Sequence, residues 1–324
     1  MRVLQLVGVA DDDEIRVVQT YAENGQPLFF IDGSLPLAGY VEGARSQIFI
    51  CGGGETKRAK IVRPDVVING ICDPDSHTKS LKDAEAVIAS LNVPVVNHPE
   101  LIERTARDKV AKLLQGIDGV VVPKVRRIRP KSIREAKEVA EESGFGYPLL
   151  FRPAGGQGGG GLIRIEEAAE FEKLERFALD GRDYYLIEFI DFASADGLYR
   201  KYRFFVIDRK VYPGHLIVSD EWQIHVDDSQ KRFQREEKTF LSDWKRETIP
   251  LFEEIARRLE LDFFGVDCAF DRKGRMLLFE VNSCMDIFSG EKASSYYHPK
   301  YRKKLTEAIT KMVRNKMETE RPRS

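Results

Sequence analysis

The sequence predicts a mixed α/β and α+β protein in three parts: an N-terminal α/β domain, a small lid, and a C-terminal subdomain able to hold a metal. Three observations carry this prediction. The first hundred residues alternate short β-branched runs with an amphipathic helix on short links, which implies a parallel sheet. Six glycines crowd positions 155–161, between two strand-like segments. Two strongly apolar runs, 263–270 and 276–282, carry two acids and an asparagine within them. At 324 residues the chain exceeds one ordinary domain. The expected boundaries are 1–99 for the N-terminal domain, 100–190 for the lid, 191–315 for the C-terminal subdomain and 316–324 for a tail.

In the N-terminal domain, Val3 to Val9, Ser46 to Cys51, Asp65 to Asn69 and Val93 to Val96 are runs rich in β-branched residues, mostly bounded by Gly, Pro, Asp or Asn, and read as strands. Thr78 to Leu91 places Leu81, Ala84, Val87, Ile88 and Leu91 at helical spacing. His98 to Leu114 is a second helical stretch, opening at Pro99. In the lid, Val120 to Val125, Tyr147 to Arg152, Leu162 to Ile165 and Tyr184 to Ile190 read as strands. Ser132 to Ser143 is a helix with Ser132 at its N-cap and Gly144 past its end, and Glu166 to Phe177 is another. The C-terminal part holds a hairpin turning at Asp208-Arg209, a helix over Ile249 to Leu259, and the acid-bearing strand pair. Met312 to Ser324 reads as a frayed end.

Composition removes several function classes. Hydrophobic residues make up 42% and charged residues 32%, the balance of a globular chain. A net charge of −1 provides no field to gather nucleic acid. The basic stretch Lys124 to Lys137 reads as a solvated face. No apolar run reaches the length of a membrane span, and the short apolar start is no signal peptide. Cys51, Cys72, Cys268 and Cys284 form no CxxC pair. They read as buried free thiols in a reducing cytoplasm. The histidines show no zinc-ligand spacing.

The segment Arg152 to Leu162 matches the literal pattern Gly156-x-Gly158-x-x-Gly161. That dinucleotide fingerprint needs a helix next, yet Leu162 to Ile165 reads as a strand. No Lys-Ser/Thr follows, so it is not a P-loop. Two readings remain: a flexible flap whose bare N–H groups cover phosphates, or an ordinary hairpin loop. For the acidic hairpin, pairing Phe270 with Arg275 sets Asp267 opposite Leu278. Glu280 is then its diagonal neighbour, and Asn282 lies further along the same face. Three hard oxygen donors on one face suit Mg²⁺, with Mn²⁺ as an alternative, holding nucleotide oxygens. The other reading is polar edge residues facing water.

At this point the sequence resembles the ATP-grasp superfamily, closest in pattern to carboxylate–amine ligases of the glutathione synthetase and ribosomal-protein glutamate ligase type. The resemblance covers roughly residues 64 to 290 and rests on the D…E-x-N hairpin with an ordered lysine, glycine-loop and hinge series. It implies ATP as cofactor. Within Thr105-Ala-Arg-Asp-Lys109, which follows Asn97-His98-Pro99, Lys109 matches a phosphate-binding lysine. Arg152 stands where the family has a second one, exchanging a point charge for a planar fork. Gly155, Gly156, Gln157, Gly158 and Gly159 match the flap. Glu188, with the main chain of Phe189 and Ile190, matches the adenine hinge. Arg203 matches an arginine facing the γ-phosphate and acyl phosphate. Lys201 stands where an acid contacts ribose, so Asp191 or Asp196 takes that contact.

The expected function is therefore an ATP-dependent ligase joining a small-molecule carboxylate, an amino acid or peptide, to an amine through an acyl phosphate. Candidate substrate walls are the loop from Asn69 to His77, with Asp73 and Asp75, and the segment His215 to Arg232, with His215, Trp222 and His225. A kinase acting on a hydroxyl and a non-catalytic nucleotide-binding module are the alternatives. Assembly as a homo-oligomer is left open.

Overall fold

The computed structural model describes residues 1–319 apart from 16, 22–26, 53–60, 156–159, 225–229, 245, 286 and 288–297, and describes only the backbone at 18–21, 27–30, 230 and 231. The N-terminal part contains strands β1 (Arg2–Gly8), β2 (Val17–Tyr21), β3 (Pro27–Ile31), β4 (Arg45–Cys51) and β5 (Val66–Asn69), helix α1 (Thr78–Ala89) and strand β6 (Val95–Val96). Strands β4, β1, β5 and β6 form one sheet in that order, and every pair in it is parallel. Thus the strand–helix–strand alternation does specify a parallel sheet. Strands β2 and β3 form a separate antiparallel hairpin that the sequence analysis did not foresee. Helix α1 buries Leu81, Ala84, Val87 and Ile88 as its spacing requires. It stops before Asn92, which takes a positive φ of 48°.

The predicted helix over 98–114 divides into α2 (Pro99–Ile102), a 3-10 turn, and α3 (Arg107–Leu114). The predicted strand 120–125 also divides. Strand β7 (Val120–Val121) joins the C-terminal sheet, whereas β8 (Val125–Ile128) begins the lid. The lid continues with α4 (Ile133–Glu142), β9 (Leu149–Pro153), β10 (Ile163–Ile165), a 3-10 stretch over Ala168–Arg176, and β11 (Tyr184–Glu188). Its sheet runs β10-β9-β11-β8 and is antiparallel throughout. Ser132 caps α4 by accepting the Glu135 amide at 3.1 Å, and Gly144 takes φ 65° beyond its end.

The C-terminal part contains β12 (Tyr199–Ile207), β13 (Lys210–Ser219), α5 (Gln230–Ser242), α6 (Ile249–Leu259), β14 (Phe263–Phe270), β15 (Met276–Asn282) and α7 (His298–Thr319). Asp208 and Arg209 both have positive φ, as a two-residue hairpin turn needs. The sheet order is β13-β12-β14-β15-β7. The expected frayed end at Met312 is corrected, because α7 runs to Thr319 and buries Met312 and Val313. This helix returns to the N-terminal domain, where Thr310 Oγ1 accepts the Glu42 amide at 3.0 Å. Leu4, Ile68, Phe204, Phe263 and Ile309 therefore share one core cluster. Asn97 is 1% exposed and ties the same parts together. Its amide oxygen accepts from the Asp262 and Phe263 amides, and its nitrogen donates to the Phe263 carbonyl.

Candidate active site on the acid-bearing sheet

Register decides which side chains meet. Phe270 pairs with Met276, not Arg275, so the expected register is corrected by one residue. A slip of one would turn Glu280 to the opposite face from Asp267. An irregularity between Asp267 and Cys268 reverses that effect, and Asp267 pairs directly with Glu280. Cys268 still pairs with Leu278, so Phe279 is the extra residue of a β-bulge. Phe279 packs with Leu277 and Ala269, while Glu280 comes to face Asp267. Asn282 pairs with Gly265, two residues along both strands from the acid pair.

The pairing continues across the sheet. His215 on β13 pairs with Arg203 on β12, Arg203 with Asp267 on β14, and Asp267 with Glu280 on β15. Asp267 is 4% exposed. Burial alone would raise its carboxyl pKa, but Arg203 beside it holds the group below the ordinary value. Arg203 donates to both carboxylate oxygens, at 2.8 and 2.9 Å. Lys201 Nζ lies 3.8 Å from the same carboxylate. Glu280 accepts from Arg107 at 2.6 Å. Asn282 Oδ1 accepts the Cys284 amide at 2.8 Å.

Arg107 was not among the residues selected from the sequence. It opens α3, two residues before Lys109, and also donates to the Phe279 carbonyl at 3.2 Å. Lys109 points elsewhere: its ammonium pairs with Glu103 at 2.9 Å and its side chain is 53% exposed. Arg152 on β9 is buried, and burial together with nearby Arg107 lowers its pKa to about 10. Glu280 and Asp75 act on it in the opposite direction. Two guanidinium groups thus hold the two acids, and Arg152 is near enough for Glu280 to act on it.

The base of the glycine loop meets the N-terminal domain. At Gly155, with φ 73°, an added Cβ would lie 3.2 Å from Ser76 Cβ and 3.6 Å from Asp73 Oδ2. Gly156, Gln157, Gly158 and Gly159 lie outside the described residues. Asp73 is buried, and burial raises its pKa. Asp75 is held by Arg127 and by Tyr185 Oη. Arg127 on β8 also reaches Asp108 of α3 and Asp183 of the lid, so one guanidinium joins three parts of the fold. Spacing could not reveal this network.

Of the hinge residues, Glu188 is exposed and accepts the Lys124 amide at 3.0 Å. Phe189 lies edge-on to Trp222 at 5.6 Å, with Arg164 over its ring at 4.1 Å. Ile190 packs in an apolar group with Phe192, Leu277 and Phe279. Asp191 accepts the Ala193 amide. Asp196 is exposed and paired with Arg200, which lowers its pKa to about 2. His215 is paired with Glu237, and His225 lies outside the described residues.

The free-thiol expectation is corrected. Cys72 and Cys284 are joined as a disulfide with a Cα–Cα distance of 5.3 Å, and only Cys51 and Cys268 are free. The partners are 212 residues apart, so no local spacing announces the pair. Half of the cysteine argument for a reducing compartment falls with it. No helix among the described residues is long and apolar enough to cross a membrane.

No family profile matches the sequence, and no curated protein matches it. Solved structures do match. The VanG D-Ala:D-Ser ligase from Enterococcus faecalis aligns over 98% of this chain and 99% of its own, with TM-score 0.56 and 13% identity. A D-alanine–D-alanine ligase from Bacillus anthracis complexed with ATP aligns over 98% and 96%, with TM-score 0.51 and 14% identity. A RimK domain ATP-grasp protein from Sphaerobacter thermophilus aligns over 97% and 99%, with TM-score 0.52 and 15% identity. The parallel N-terminal sheet, the antiparallel lid and the acid-bearing sheet together make the ATP-grasp fold, and this chain has it.

Proposed function

We propose that this protein is an ATP-dependent carboxylate–amine ligase that forms an acyl phosphate and releases ADP and phosphate. One observation carries the reading: Asp267 and Glu280 face each other across two strands, with Asn282 beyond them, and guanidinium groups hold both acids. Two carboxylates and an amide oxygen are hard donors that fit Mg²⁺ or Mn²⁺. Bound there, such an ion would draw off the charge that develops on phosphate oxygens.

The chain's own residues supply the rest. Arg203 and Arg107 donate to the two acids, and both are shaped to grip phosphate bidentately. With a nucleotide bound, they would exchange carboxylate oxygens for phosphate oxygens. Arg152, with its pKa near 10, stays charged at neutral pH and adds a third phosphate contact. Lys109 turns from Glu103 to the phosphates in the same exchange. Adenine packs on Ile190 and its apolar neighbours, read by Glu188 and the main chain of Phe189 and Ile190, while Asp196 contacts ribose. Arg203 faces the acyl phosphate, and the flap from Gly155 to Gly159 keeps water away from it. Asp73, Asp75 and Trp222 line the substrate side. The ligases similar in structure support this chemistry by their fold.

Hydroxylamine trapping tests the proposal. With ATP and its carboxylate, a ligase yields an acyl hydroxamate. Pairwise screening of amino acids and short peptides for ADP release identifies that carboxylate. A phosphorylated alcohol would replace the ligase with a kinase, and ATP binding without turnover would leave a nucleotide-binding module.

A further inference from the structure

A second convergent cluster lies at the edge of the same sheet. His215 comes from β13, Glu237 from α5, and His298 is the first residue of α7. His215 Nδ1 lies 3.0 Å from Glu237 Oε1, and His298 Nε2 lies 3.3 Å from Glu237 Oε2. The two imidazoles stand at 89° with centroids 5.1 Å apart. All the donor atoms lie within 4.8 Å of one another. The carboxylate of Glu237 is only 2% exposed, and the His298 side chain only 5%.

We propose that His215, Glu237 and His298 form a binding site for a divalent transition cation of the zinc class, separate from the nucleotide-associated metal. The donor set decides the class. Imidazole nitrogens favour zinc and its neighbours, whereas Mg²⁺ prefers oxygen alone. Two histidines and one glutamate are a complete set of protein ligands for zinc with a fourth position remaining.

To bind the ion, each imidazole would present the nitrogen that faces Glu237 unprotonated, and Glu237 would exchange its contacts with the two histidines for coordination. The ion then clamps α5 and the start of α7 to the edge strand. His215 ends the row through Arg203 to Asp267, so the clamp sits about 10 Å from Asp267, two strand spacings away.

The test uses the full chain without nucleotide, loaded with Zn²⁺ or Co²⁺ and then freed of unbound metal. About one ion per chain should remain, and Co²⁺ should show the visible absorption of a four-coordinate site. Because even outer-shell changes cost about 10–100-fold, His298→Gln and Glu237→Gln should each weaken binding by about 100-fold or more. Asp267→Asn, which alters the proposed nucleotide metal, should keep the Co²⁺ spectrum. The melting midpoint of the wild-type protein should rise with Zn²⁺ and fall back with chelator, a readout that needs no variant to fold. Retention of less than about a tenth of an ion with no midpoint shift would overturn the proposal. So would full stoichiometry in both variants. A spectrum lost only in Asp267→Asn would assign the ion to the nucleotide site instead.

Discussion

Arg203 and Asp267 are cross-strand partners joined by two hydrogen bonds of 2.8 and 2.9 Å, so the acid proposed to hold a metal is held by a guanidinium. The pair explains how a nearly buried carboxylate stays ionised.

Removing either acid should stop turnover. The Glu280 side chain is 28% exposed and that of Asp267 only 6%, so Glu280→Gln is the gentler change for folding. We expect kcat to fall by about 10²-fold or more in each variant, in the range seen when a group that stabilises transition-state charge is removed. Steady-state ADP release checks this, with circular dichroism as the folding control. Wild-type rates in Glu280→Gln would remove that residue from the metal set.

Arg107 and Lys109 should separate by effect. Arg107 touches Glu280, whereas Lys109 pairs with Glu103 at the surface. Arg107→Ala should therefore raise KM for ATP by about tenfold, the loss of one charge-assisted contact. Lys109→Ala should raise it less. If Lys109→Ala is the more damaging, its ammonium contributes more to phosphate binding than Arg107 does.

The cysteines give a counting test. Burial pushes the Cys51 thiol up to about 12 and raises Cys268 as well, so both should resist alkylation in the native protein. Unfolded without reductant, the chain should expose two thiols, Cys51 and Cys268; with reductant, it should expose all four. Closing a loop of 212 residues is worth up to about 5 kcal/mol in the chain-entropy picture, so Cys284→Ser should lower the denaturation midpoint. Four thiols under both conditions would rule out the bridge in the isolated protein.

The Arg127 network should appear in acid. Burial would raise the pKa of Asp108 and Asp183, but bonds and charge from Arg127, with Arg129 at Asp183, hold both below the ordinary value. A carboxyl depressed by folding contributes stability above its unfolded pKa and loses it as pH falls through the folded one. Stability should therefore hold near neutrality and drop below about pH 4. Arg127→Met should cost about 1–3 kcal/mol at neutral pH and flatten that acid slope. Denaturant titrations at both pH values measure this, and an unchanged slope would separate Arg127 from acid stability.

Some of this arrangement is legible locally. Residues 78–91 announce α1 because one helical face must be apolar, and Ser132 announces the start of α4 because its hydroxyl meets an otherwise unpaired amide. The acids in 263–282 stand out because a buried strand carries charge only where something compensates it. Their shared face followed from a register one residue off, and the bulge at Phe279 restored the alignment.

The sequence by itself determined the parallel sheet, the glycine loop and the oxygen donors near the end of the chain, since each follows from side-chain periodicity or backbone freedom over a few residues. Tertiary structure alone decided which cation meets which acid, where the bulge falls, that Cys72 meets Cys284, and that His298 comes to Glu237. The pairs Glu237–His298, Arg203–Asp267, Arg107–Glu280 and Cys72–Cys284 are 61 to 212 residues apart. Their meeting depends on strand register and helix packing across the whole core, which no local pattern encodes.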